Sequence, residues 1–189
     1  RLVKMKQHLL ICLIAVVVCC AAFALAKSSN EEKMKKYYIR TGKKFLEEKS
    51  KEEGVKKLPS GMLYRVIKEG TGKGKKSSPN VGDSCKVTYS GKLKDGTPFD
   101  SGTTSFAPNQ VIKGWTEALQ LMCEGDKWEL FIPYDMAYGE RGSPPKIPPY
   151  NPLVFEVELH KVEKGGKPCK DAKADLQKKL SEVSESKDL

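Results

Sequence analysis

Five separated segments of this sequence set aromatic and aliphatic side chains beside polar ones: Val87-Thr-Tyr89-Ser-Gly-Lys-Leu-Lys-Asp-Gly-Thr-Pro-Phe99-Asp100-Ser, Val111-Ile112-Lys-Gly-Trp115, Met136-Ala-Tyr138-Gly, Ile147-Pro-Pro and Leu153-Val-Phe155-Glu-Val. Nucleophilic chemistry has no base to run on. His8 lies in the N-terminal segment read below as a secretory signal, His160 falls on the outer face of an alternating segment, and no serine sits in Gly-x-Ser-x-Gly. Hydrolysis is therefore not the expected chemistry. What an aromatic and aliphatic pocket can do is hold an amide out of water while a few fixed polar groups orient its carbonyl. Such chemistry needs no nucleophile, metal or cofactor.

In order and spacing, the five segments resemble the FK506-binding type of peptidyl-prolyl isomerase, over roughly Leu58 to Glu163. A Lys/Glu-rich stretch leading into Phe45-Leu-Glu-Glu-Lys and Glu53-Gly-Val-Lys-Lys-Leu-Pro-Ser-Gly-Met-Leu-Tyr is similar to the secreted macrophage infectivity potentiator branch of that family. The resemblance implies rotation about X-Pro bonds, which is slow because the amide must lose resonance, with a barrier of about 18–20 kcal/mol. A twisted amide has less charge separation than a planar one, so a dry pocket holds it better than the ground state.

By the same resemblance, Tyr89, Phe99, Trp115, Tyr138 and Phe155 line the proline pocket, with Trp115 at its floor. Asp100 is the pocket carboxylate, and Tyr89, Phe99, Asp100, Tyr138 and Phe155 form the catalytic set. Val111, Ile112 and Ile147 make an aliphatic wall, Phe106 adds an aromatic edge, and the Tyr138 hydroxyl and Ile112 NH meet the substrate carbonyl. The segment Ser101 to Phe106 is shorter than in many relatives and lacks their arginine, so no ion pair to Asp100 is expected from it. Ser143 stands where some relatives carry a histidine. The implied partners are proline-containing polypeptides and, as inhibitors, macrolides of the FK506 and rapamycin type. The alternative class is a module that grips proline segments, or a chaperone working through its helical arms, with little turnover.

The elements that must position these residues can be read from periodicity. Cys85, Val87 and Tyr89 alternate with Lys86, Thr88 and Ser90, Trp128, Leu130 and Ile132 are set against Glu129, and Leu153, Phe155, Val157 and Leu159 alternate with Val154, Glu156, Glu158 and His160. Each is a strand with one buried face, of the antiparallel kind. Trp115, Ala118, Leu119 and Met122 fall at i, i+3, i+4 and i+7, which predicts a helix whose apolar side meets the sheet. The expected fold is α+β: an antiparallel sheet curled as a half-barrel around one short helix, with charged helical extensions at both ends.

Those extensions frame the domain. Residues 27–57 read as a charged helix whose apolar stripe, Met34, Tyr37, Tyr38 and Phe45, fits either its own domain or a second copy in a homodimer. Gly70 to Gly82 reads as a Gly/Ser/Lys loop too polar for the core. The last segment, residues 164–189, resumes a charged helical pattern after Lys164-Gly-Gly-Lys-Pro, free either to dock or to stay loose. Its final Ser-Lys-Asp-Leu only imitates a retrieval signal of the endoplasmic reticulum.

With 189 residues, 39% hydrophobic and 31% charged, the chain accommodates one globular domain plus appendages. Residues 1–26 read as a secretory signal: Lys4 and Lys6 precede an apolar run, Leu9 to Ala24, and Ala24-Leu25-Ala26 offers a small-x-small cleavage site before Lys27. Left uncleaved, the run would be a membrane anchor, but it is shorter than the ~20 apolar residues that span a bilayer. The expected product is secreted or held in the secretory pathway, with no stable membrane insertion. Losing Arg1, Lys4 and Lys6 lowers the formal charge from +10 to +7. The remaining lysines are interleaved with glutamates and no nucleic-acid motif is present, so nucleic acid is not an expected partner. Cys12, Cys19 and Cys20 fall in the signal, leaving Cys85, Cys123 and Cys169 at separations of 38 and 46. That spacing suits neither a disulfide scaffold nor a zinc site. Cys85 is expected in the core and Cys169 as a free thiol in the tail.

Overall fold

The structure, a computed structural model, describes residues 30–70 and 77–185. The secretory signal and the final Ser-Lys-Asp-Leu lie outside the described residues. A helix (α1) covers residues 30–49. It is followed by β1 (Val55–Lys57), β2 (Leu63–Lys68), β3 (Ser77–Ser78), β4 (Cys85–Leu93), β5 (Pro98–Phe106), α2 (Lys113–Leu121), β6 (Lys127–Ile132), β7 (Leu153–Val162), β8 (Lys167–Pro168) and α3 (Cys169–Glu185). Six strands form one antiparallel sheet in the order β1-β2-β6-β7-β4-β5, with β5 at an edge.

The alternating pattern decides which face turns inward. Val87, Leu130, Val157 and Leu159 are fully buried, while His160 on the outer face bonds Thr88 at 2.7 Å. The sheet curls over α2, which buries Trp115, Ala118, Leu119 and Leu121. Helix and sheet come close because Gly114 has no side chain: a Cβ there would stand 2.6 Å from Ile132. The turn after α2 is fixed by buried Asp126, which accepts from Gly70 NH at 2.7 Å and Cys123 NH at 2.9 Å.

One residue breaks the phase. Phe131 points away from the α2 side yet is fully buried, because the sheet's second face is covered there. Phe45 of α1 meets it edge-on at 6.4 Å, and the Lys49 ammonium lies 5.5 Å from its ring centre. The compact unit accordingly starts at Ile39, inside α1, and this part of the helix leans on its own domain. Residues 30–38 of α1 fall in a separate unit, in which Met34 and Tyr37 are about half exposed.

The tail docks, and it corrects two expectations. Cys169 is not free: it is disulfide-bonded to Cys123 with a Cα separation of 5.5 Å. The fold brings the end of α2 and the start of α3 together across 46 residues, a proximity no spacing rule reveals. Ala172 is buried, Leu176 and Leu180 pack on the core, and Lys179 pairs with Glu117 at 2.7 Å. Nor is the Gly70 to Gly82 segment wholly outside the core. Ser77–Ser78 pairs with Lys167–Pro168, and Ser78 is fully buried because its hydroxyl donates to Gln120 O at 2.9 Å. A hydroxyl with a partner can be core. Cys85 is the buried free thiol, pushed up to about 11 by burial and then by Glu163 and Asp83, which leaves it inert as a nucleophile.

Candidate active site

Strand, bulge and helix end combine to open a cleft of about 380 Å³ on one side of the sheet. From β4 comes Tyr89, from β5 come Phe99, Asp100 and Phe106, and from β7 comes Phe155. α2 supplies Trp115, and the residues leading into it supply Val111 and Ile112. Tyr138 closes the remaining side. These nine residues, all anticipated from the sequence, line the cleft together with Gln110.

Ring geometry makes the floor. Trp115 receives Tyr89 and Phe155 edge-on at 5.2 Å each and Phe106 at 6.1 Å, and Phe155 in turn meets Phe99 at 5.5 Å. Edge-to-face contacts of this kind place ring hydrogens on π-faces and fix every ring against its neighbours. The Phe99–Phe155 contact depends on Gly91, where a Cβ would come within 2.7 Å of both rings. Trp115 is 4% exposed and its indole NH has no hydrogen-bond partner among the described residues.

Over this floor the polar groups are few. The Tyr89 hydroxyl donates to Asp100 Oδ2 at 3.0 Å. Tyr89 is raised above the ordinary phenol value by burial and then by Asp100, and Tyr138 is raised by the same two causes in the same order. Both phenols therefore stay protonated donors. Ile112 is the N-cap of α2, so its carbonyl accepts from Thr116 at 3.0 Å while its NH lies outside the helix's own ladder.

Ile147 departs from the expected wall. It is buried in the same apolar cluster, held by reciprocal backbone bonds with Ser143 at 2.9 Å each, but it does not line the cleft. Gln110 was not anticipated. Its side-chain oxygen accepts from Ala107 NH at 3.2 Å while its own NH donates to Ala107 O at 2.9 Å, which holds the turn before Val111. Its position immediately ahead of Val111-Ile112 is the one sequence signal that could have marked it.

The cleft is not the largest hollow: a groove of about 680 Å³ between α2 and α3 is larger, but Lys113, Glu117, Lys167, Asp175, Lys178, Lys179 and Glu182 line it. Chemistry distinguishes the two. Charged walls keep water, whereas the aromatic cleft can exclude it. Among the described residues no three His, Cys, Asp or Glu side chains gather where a metal could bind, and no helix is long and apolar enough to cross a membrane.

Comparison with known proteins agrees with this geometry. Residues 75–160 match the family described as FKBP-type peptidyl-prolyl cis-trans isomerase, and residues 16–66 match the domain amino terminal to FKBP-type peptidyl-prolyl isomerase. The macrophage infectivity potentiator of Trypanosoma cruzi is 52% identical over 136 residues, 69% of this chain and 68% of that protein. The FKBP-type 22 kDa peptidyl-prolyl cis-trans isomerase of Escherichia coli K12 is 50% identical over 126 residues, 64% of this chain and 59% of that one. The crystal structure of a peptidyl-prolyl cis-trans isomerase from Pseudomonas syringae superposes with a TM-score of 0.63 at 38% identity, covering 68% of this chain and 96% of the other. With a floor of interlocked rings beneath two phenols and a carboxylate, and relatives of this identity and coverage, the chain belongs to the FKBP-type peptidyl-prolyl cis-trans isomerase family.

Proposed function

We propose that the mature chain, beginning at Lys27, is an exported isomerase that accelerates rotation of X-Pro bonds in exported or extracellular proteins. The observation that carries this reading is the Trp115 floor under Asp100 and Tyr138. The proline ring rests on Trp115, its walls are Phe99, Phe155, Tyr89 and Phe106, and the carbonyl before the proline meets the Tyr138 hydroxyl and the Ile112 NH. As the amide twists, its charge separation falls, and a site with so few polar groups favours the twisted form over the planar one.

Catalysis resides in Leu58 to Glu163, because no residue of either arm lines the cleft. Export is supported by the apolar run before Ala24-Leu25-Ala26 and by the Cys123–Cys169 disulfide, which fits an oxidising compartment. Macrolides of the FK506 and rapamycin type occupy the same cleft as proline. The half-exposed Met34 and Tyr37 on α1 give a second copy of the chain an apolar strip to dock on, as a homodimer arm.

A protease-coupled isomerisation assay on a Leu-Pro peptide tests the reading. Acceleration by the mature chain, suppressed by macrolide, is expected. Peptide binding without acceleration would replace the enzyme by a proline-binding module, and aggregation suppression by the isolated arms would point to a chaperone.

A further inference from the structure

The strand that carries Phe99 and Asp100 is irregular at that point. β4 and β5 pair Gly91 with Asp100 and Lys92 with Pro98, so Phe99 is an extra residue on the β5 side of the ladder. A bulge of this kind bends the strand and re-aims its side chains, here turning Phe99 onto Phe155 and Asp100 to Tyr89. It also takes a backbone group out of the ladder, and a backbone carbonyl without a partner is costly when water is excluded. In this protein the Phe99 carbonyl has a partner: the Lys146 ammonium donates to it at 3.0 Å, across 47 residues.

Lys146 can reach because its own segment is fixed. Ser143 and Ile147 exchange two backbone hydrogen bonds of 2.9 Å, Ile147 is buried, and Tyr150 NH returns to Gly139 O at 3.2 Å. Gly139 follows Tyr138 directly. The lysine thus ties the excursion between Tyr138 and β7 to the irregular point of the β4–β5 ladder. Lys146 is itself exposed, so its bond contributes little to overall stability. Its local effect is larger. Without it, the Phe99 carbonyl loses its tie to the neighbouring segment, and the bulge is left to the β4 ladder, the Phe99–Phe155 contact and the Tyr89–Asp100 bond.

We propose that Lys146 is a positioning residue for the isomerisation, closing the orphan carbonyl of the Phe99 bulge and so fixing Phe99 and Asp100 toward the substrate. This inference rests on the isomerase reading for its kinetic consequence, but its structural consequence can be read independently.

The experiment compares wild type, Lys146→Met, which keeps the aliphatic stem but removes the donor, and Lys146→Arg, which restores one. Two readouts are taken on the full mature chain: kcat/KM for a Leu-Pro peptide, and the ¹⁵N amide signals of Asp100 and Ser101. Lys146→Met is expected to lower kcat/KM roughly fivefold, the scale of one net hydrogen bond expressed as rate. Its melting temperature should hold, the Asp100 and Ser101 amides should shift, and Lys146→Arg should recover both readouts. In an Asp100→Ala background the further loss from Lys146→Met should fall below about twofold, because residues that act as a unit are not additive. An unmoved Asp100 amide in Lys146→Met overturns the proposal whatever the rate. So does an undiminished fivefold loss in the Asp100→Ala background. Absence of turnover by wild type would instead sink the isomerase reading, and the amide shifts alone would then decide the role of Lys146.

Discussion

Tyr89 gives its phenolic hydrogen to Asp100 Oδ2 at 3.0 Å, from the neighbouring strand and across the floor that its own ring helps to build. One oxygen of the only carboxylate in the cleft is thereby committed to a neighbour, which sets the orientation of the other. Replacing either residue therefore changes the hydrogen bonding of the other.

Four substitutions separate the contributions. Tyr138→Phe deletes only a hydroxyl, so kcat/KM should fall by on the order of 1 kcal/mol of transition-state stabilisation. Asp100→Ala should cost more, since it removes the carboxylate and strands the Tyr89 hydroxyl; Tyr89→Phe should fall between the two. Phe155→Ala opens the floor to water and should also cost about 3–5 kcal/mol of stability, as expected for a fully buried ring. Steady-state kinetics beside urea unfolding measures each term. Wild-type rates in folded Asp100→Ala and Tyr138→Phe would refute the site assignment.

Most of this site was legible because its five ordered segments resemble those of the FK506-binding family, while period two gave only the strands that carry Tyr89 and Phe155. What escaped depended on contacts that alternation cannot encode. Phe131 reads as a solvent-face residue until α1 is seen to cover it, and Ser78 reads as loop until its hydroxyl finds Gln120 O. Cys123 and Cys169 meet only because α2 ends where the tail begins. Lys146 is one lysine among many until the bulge at Phe99 gives it a carbonyl to serve.

The pH dependence follows from the two phenols. Burial and then Asp100 raise both Tyr89 and Tyr138, so each stays protonated to higher pH than an ordinary phenol at about 10. No histidine lines the cleft. kcat/KM should accordingly be flat from about pH 6 to about pH 9, where an acid–base mechanism would give a bell. A limb with a midpoint near neutrality would contradict that expectation.

The tail should matter for stability and not for chemistry. Closing the 46-residue separation by the Cys123–Cys169 bond is worth about 4 kcal/mol on the chain-entropy model. Cys169→Ser, or reduction, should lower the melting temperature by roughly 10 °C while leaving peptide turnover near wild type, since no residue of α3 lines the cleft. Calorimetry with and without reductant, paired with the peptide assay, checks both halves.

The N-terminal helix carries a similar expectation with a different cause. A chain starting at Leu58 loses Phe45 and exposes Phe131. It should retain turnover but unfold earlier, and Phe45→Ala in the full chain should account for about 2 kcal/mol of that, less than for a fully buried ring because Phe45 is only partly covered. Collapse of turnover in a folded truncated chain would mean that α1 completes the site.

The central claim is that the aromatic floor favours the twisted amide, and exchange spectroscopy reads that directly. Uncatalysed X-Pro rotation takes about 10–100 s at 25 °C. With a catalytic amount of the mature protein, a Leu-Pro peptide should show cis and trans resonances exchanging within a second, and a macrolide should restore the slow rate. Shifts of the Trp115 indole NH on adding peptide, with cis–trans exchange no faster than in buffer, would contradict the account.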